Sequence, residues 1–168
     1  TELIYFATAQ AFDAEMTERI QIHRASRPGN WPTVEEPLAV PEKLALYAGT
    51  PGVILLDCLT LWLSNLLLQG LDEHGEPRDG ILNEITSMVE DLVYKAKDGQ
   101  SAVVCVTNEV GWSVVPDNKL GRLYRDLVGR ANQILARAAE EVYLVVAGYP
   151  MEIKASGSKI LSGIEGRI

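Results

Sequence analysis

A histidine followed by arginines and a Pro-Gly break can handle phosphate, and the stretch ERIQIHRASRPGNW (18–31) holds one: His23, then Arg24 and Arg27, then Pro28 and Gly29. A neutral imidazole is a nucleophile towards phosphorus, and guanidinium forks bind phosphate oxygens in pairs. The same residues have a plainer reading. Met16, Ile20 and His23 stand at i, i+4 and i+7 of a helical stretch, so they share one face, the face expected to look inward. A histidine there, close to the helix C-terminus, also fits a packing or capping role.

Two further positions carry polar chemistry at the end of apolar runs. Asp57 closes VILLD within VILLDCLT, which places a carboxylate at the rim of an α/β sheet, where a Walker B acid holds magnesium. Any apolar strand ending in aspartate matches that pattern, so a structural role stays open beside the functional one. Asn108 and Glu109 close a second such run, and Arg122, Arg125 and Arg130 follow on a helix with Asp126. Those helical charges read as a solvated face laced with ion pairs, and the polar pair at the strand end as the functional element. His74, in a polar loop, reads as exposed and without a role. Trp31, Trp62 and Trp112 each suit either the core or stacking on a ring.

The elements that must position these residues follow from hydropathy. Four runs, 3–9, 52–60, 102–110 and 141–149, are continuously apolar and β-rich, the pattern of parallel strands buried on both faces. Helical periodicity fills 14–24 behind a capping Asp13, 41–48 behind Pro41, 81–97 ahead of Gly99, and 119–139. This alternation predicts an α/β layered fold with a mostly parallel sheet. The connections 24–37 and 71–80 are long and rich in breakers, as functional loops often are. The apolar stretch 61–69 suits either a subunit contact or the core.

With 168 residues, the chain is expected to form one domain, over 1–154. The tail 155–168, which ends in the protease-site string Ile164-Glu165-Gly166-Arg167, is set apart as artificial, and the start at Thr1 is read the same way. The net charge of −8 argues against a broad nucleic-acid face. Cys58 and Cys105 lie in apolar runs with no zinc-type spacing and read as buried free thiols. No apolar run reaches the roughly 18 residues of a membrane span, and no secretory leader is visible, so a cytoplasmic protein is expected.

Three blocks, YFATAQAFDAEMTERIQIHRASRPGNWPTVEEP, LLDCLTLWLSNLL and VTNEVGWSVVPDNKLGRLYRDLVGRANQILARAAEEVYLVVAGYPMEIK, together resemble the bifunctional adenosylcobinamide kinase and adenosylcobinamide-phosphate guanylyltransferase family of cobalamin biosynthesis. The resemblance runs from Ile4 to about Lys154. It implies a P-loop, RecA-like α/β fold that binds GTP and ATP with magnesium and acts on adenosylcobinamide and its phosphate. His23 takes the place of the histidine that carries GMP. It further implies nucleotide contacts at Ala7, Thr8 and Ala9, at Arg24, Ala25, Ser26 and Arg27, at Glu35, and at Asp57, which is also the magnesium-side acid. A homo-oligomer, a trimer, is implied as well. The family opens with a strand and a phosphate loop of the form G-x-x-x-x-G-K-[ST], and no such string occurs in these 168 residues. Two expectations follow: a segment bearing that strand and loop precedes Thr1, or the chain is a non-catalytic nucleotide- or corrinoid-binding module that lacks it.

Overall fold

The computed structural model describes residues 2–165, so Thr1 and the Gly166 and Arg167 of the protease-site string lie outside the described residues. Strands β1 (Leu3–Ala7), β2 (Thr33–Glu35), β3 (Val53–Asp57) and β4 (Ala102–Val106) form one parallel sheet in the order β2-β1-β3-β4. Helices α1 (Ala14–Ala25), α2 (Val40–Tyr47), α3 (Leu59–Gln69), α4 (Ile81–Asp98) and α5 (Lys119–Ala138) connect and cover them. The architecture is therefore mixed α/β with a parallel sheet, consistent with a P-loop-type fold.

Local chemistry sets the helix starts. Asp13 Oδ1 accepts the Met16 N–H at 2.7 Å and so caps α1, and Asn118 Oδ1 does the same for Gly121 N–H at the start of α5, also at 2.7 Å. Pro41 sits in the first turn of α2, where its missing N–H costs nothing.

Four expectations change. The run 141–149 does not join the parallel sheet: β5 (Tyr143–Val146) turns through Ala147 and Gly148, both at positive φ, into an antiparallel β6 (Tyr149–Glu152). The long connection 24–37 contains β2, whose three residues are too few to show a pattern. The strands are not buried on both faces either. Ile54 and Leu56 are wholly buried, whereas Val53, Leu55 and Asp57 between them are half-buried, and on β4 Val104 is 50% exposed. Finally, the described part of the stretch set aside as a tail is helical, within α6 (Lys154–Glu165).

The core lies on the face of the sheet bearing Phe6, Ile54 and Leu56, packed against Leu44, Trp62, Leu63, Ile85, Val89 and Val128 from the four helices α2 to α5. In α3, seven of eleven residues are buried, so the apolar stretch 61–69 belongs to the core rather than to a subunit contact. Trp62 is wholly buried with its indole N–H donated to Leu38 O at 2.7 Å, Trp112 is 72% exposed and Trp31 half-buried. Cys58 is buried and Cys105 half-buried, both as free thiols. No helix among the described residues is long and apolar enough to cross a membrane.

Candidate functional site

The parallel register aligns strand ends. Glu35 lies opposite Ala7, and Ala7 opposite Asp57, so these three form a row across the C-terminal edge of the sheet. Immediately beyond, Thr8 and Cys58 are tied to each other. Thr8 Oγ1 donates to Cys58 O at 2.7 Å and accepts the Cys58 N–H at 2.9 Å, while Asn65 Nδ2 donates to Thr8 O at 2.8 Å. Thr8 is wholly buried, and its hydroxyl is committed to this clamp. Ala9 follows, half-buried. The Asp57–Cys58 peptide is cis.

Asp57 is held from its own sheet. The phenol of Tyr5, on the same sheet face by register, donates to Asp57 Oδ2, and Tyr5 itself is only 3% exposed. Burial, with the neighbouring Asp57 carboxylate, pushes the phenol well above the usual tyrosine range, so the O–H stays a donor through neutral pH.

The end of α1 comes over this row. His23 Nε2 stands 3.8 Å from Asp57 Oδ2, and Arg27 Nη2 lies 3.0 Å from His23 Nδ1. Arginine has only donors, so in this hydrogen bond Nδ1 accepts, and Nε2 is the ring nitrogen turned towards Asp57. The Arg27 guanidinium lies over the Tyr5 ring, 3.7 Å from carbon to centroid, and its Nε is buried without a hydrogen-bond partner among the described residues. Arg24 pairs with Glu35. Ser26 caps the helix, its hydroxyl donating to His23 O at 2.9 Å; it and Ala25 are exposed.

The inward face expected of α1 is only partly realised. Met16 and Ile20 are half-buried, His23 keeps 56% of its side-chain surface, and α1 has no buried residue. A helix so charged has little apolar surface to bury, which leaves its histidine accessible.

A second polar cluster closes β4. Asn108 Nδ2 donates to Thr60 Oγ1 at 2.8 Å, Thr107 Oγ1 to Asn132 Oδ1 at 2.7 Å, and Asn132 Nδ2 to Glu109 Oε1 at 2.9 Å. Because Asp57 pairs with Val106, this cluster borders the first. Among the described residues the ion pairs expected of Arg122, Arg125 and Arg130 with Asp126 are not formed: Arg122 donates to Pro116 O and Asp117 O, and Arg125 to Gly111 O, so these two arginines pin a loop, and the ion pair of α5 is instead Lys119 with Glu76. His74 is exposed beside Glu73, as expected. A cleft of about 360 Å³ between α2, α3 and α4 shares no lining residue with the His23 cluster.

Tyr5 and Asn132 escaped the sequence reading. A tyrosine within an apolar strand reads as core, and only the strand order puts it beside Asp57. No group of three or more potential metal ligands exists among the described residues. A single carboxylate with one oxygen tied to Tyr5 does fit a magnesium ion held mainly by substrate phosphates and water.

Residues 1–153 match the family model described as cobinamide kinase / cobinamide phosphate guanyltransferase (CobU). The chain is similar to the bifunctional adenosylcobalamin biosynthesis protein CobU of Escherichia coli, 39% identical over 157 residues, which are 92% of this chain and 87% of the relative. It is also similar to the bifunctional adenosylcobalamin biosynthesis protein CobP of Pseudomonas aeruginosa, 42% identical over 154 residues, 89% of this chain and 81% of the relative. The CobU protein of Salmonella typhimurium stands at 38% over 157 residues, 91% and 86%. With a strand-end acid, an accessible histidine and a phosphate-type arginine at one sheet edge, and with this match along nearly its whole length, the chain belongs to the cobinamide kinase / cobinamide phosphate guanyltransferase family.

Proposed function

We propose that this enzyme of cobalamin biosynthesis, which phosphorylates adenosylcobinamide and transfers a guanylyl group to the product, uses His23 as the residue that carries GMP. The observation that carries the assignment is the arrangement of His23: exposed, bonded through Nδ1 to an arginine suited to phosphate, and facing Asp57. An unprotonated ring nitrogen attacks the α-phosphorus of GTP; an N–P bond forms, the bond from the α-phosphorus to the bridging oxygen breaks, and pyrophosphate leaves. A phosphate oxygen of the phosphorylated corrinoid then attacks the same phosphorus, the N–P bond breaks, and adenosylcobinamide-GDP and free imidazole result.

Arg27 suits the charge that this step moves. Its Nε–H, buried without a partner, is satisfied once a phosphate oxygen approaches. Arg24 and Glu35 pair at the nucleotide edge, and Ala7, Thr8 and Ala9 give it a backbone wall, Thr8 holding that wall through its clamp on Cys58. Asp57 is the residue that would hold magnesium, which would supply charge neutralisation on the leaving pyrophosphate. GTP donates the GMP, and ATP or GTP the phosphoryl group of the kinase step. Residues 1–154 act as the nucleotide-binding unit, in the cytoplasm and as a homo-oligomer, a trimer by family resemblance; a monomer on gel filtration refutes the last point.

The alternative reading is a binding module that holds nucleotide or corrinoid without turning it over. One experiment separates them. With its phosphate loop in place, the enzyme incubated with labelled GTP and magnesium gains an acid-labile, alkali-stable GMP adduct, and His23→Ala loses it while phosphorylating adenosylcobinamide as before. Persistence of the adduct in that variant moves the nucleophile elsewhere; nucleotide binding with neither adduct nor phosphorylation supports the module.

A further inference from the structure

Tyr5 is a buried strand residue, yet its hydroxyl and its ring each meet a member of the cluster. Its O–H is donated to Asp57 Oδ2, and its ring lies under the Arg27 guanidinium at 3.7 Å, with the His23 ring 6.3 Å away and inclined at 58°. His23 in turn has two polar neighbours in the cluster, Arg27 on Nδ1 and Asp57 towards Nε2. One side chain therefore supports both.

We propose that Tyr5 is the positioning residue of the guanylylation site, its phenol fixing the Asp57 carboxylate and its ring fixing Arg27, so that His23 is oriented from both sides by a single element of the sheet. The proposal rests on His23 as the residue that carries GMP and adds the side chain that sets its geometry. The physical need is clear. α1 has no buried residue and cannot hold His23 rigidly by packing. Tyr5 is 3% exposed on a strand paired on both edges, so it has the rigidity that α1 lacks.

The two contacts are separable by substitution. Tyr5→Phe keeps the ring under Arg27 and removes the bond to Asp57; Tyr5→Leu removes both. In single-turnover guanylylation with labelled GTP, by the enzyme with its phosphate loop in place, Tyr5→Phe is expected to slow adduct formation about ten-fold at saturating GTP, as loss of orientation does. Its half-saturating GTP should stay within about two-fold of wild type, because Arg27 is undisturbed. Tyr5→Leu should in addition raise half-saturating GTP about five-fold, the scale of one lost cation–π contact. That added rise should vanish when both substitutions are placed in an Arg27→Ala background, since the ring then has no guanidinium to hold.

A wild-type rate in Tyr5→Phe, or a rise in half-saturating GTP for Tyr5→Leu that persists undiminished without Arg27, overturns the proposal. These outcomes leave His23 untouched if the wild-type adduct still maps to it. A wild-type enzyme that forms no adduct on His23 overturns both readings together.

Discussion

On one face of the sheet Phe6, Ile54 and Leu56 are wholly buried beneath helices α2 to α5; on the other, at alternate positions of the same strands, Tyr5 meets Asp57 and Arg27, and Val104 is half exposed. The strands are shared, and alternation of side chains is all that separates the two faces. The buried face is apolar and built for stability. The other face is where a carboxylate, a phenol and a guanidinium meet, beneath the end of α1, a helix with no buried residue.

Substitutions on the two faces should therefore cost different things. Trp62→Ala, deep in the core, should lower unfolding stability by about 3–5 kcal/mol in urea titration. A loss under about 1 kcal/mol would mean the core does not depend on α3. Thr8→Val, at the boundary between the faces, strips the Cys58 N–H of its acceptor and should cost about 1–3 kcal/mol. Unchanged stability there would show that the clamp is not a structural element. Asp57→Asn should change stability by no more than about 1 kcal/mol, since an amide oxygen can still accept from Tyr5, yet it should raise the magnesium requirement or abolish turnover. Unchanged rates at limiting magnesium would return Asp57 to a structural role. Val104→Thr, on the exposed side of β4, should fall within about 0.5 kcal/mol of wild type; a larger loss would show that this face is packed in solution.

What could be read in the sequence divides along the same line. The core face was legible because continuous apolar runs and helical periodicity are local signals, and β1, β3, β4 and the principal helices follow from them. Asp57 and His23 stood out by type and position. Their meeting was not legible, since it depends on β1 lying beside β3 in register, a long-range fact that no local pattern carries. The hairpin of β5 and β6 was missed because its turn uses Ala147, an uncommon residue at positive φ, and so two strands read as one. The inward face of α1 was overstated because spacing alone marks a stripe, while burial needs enough apolar surface to fill it.

The bond between Arg27 and His23 Nδ1 has a consequence for selectivity. With Nδ1 accepting from Arg27, the lone pair of that nitrogen is already engaged. If His23 carries GMP as proposed, a nucleotide phosphate that drew the same guanidinium away would unmask that lone pair, and the side chain that recognises the donor would also be the one that keeps the nucleophile quiet until the donor arrives.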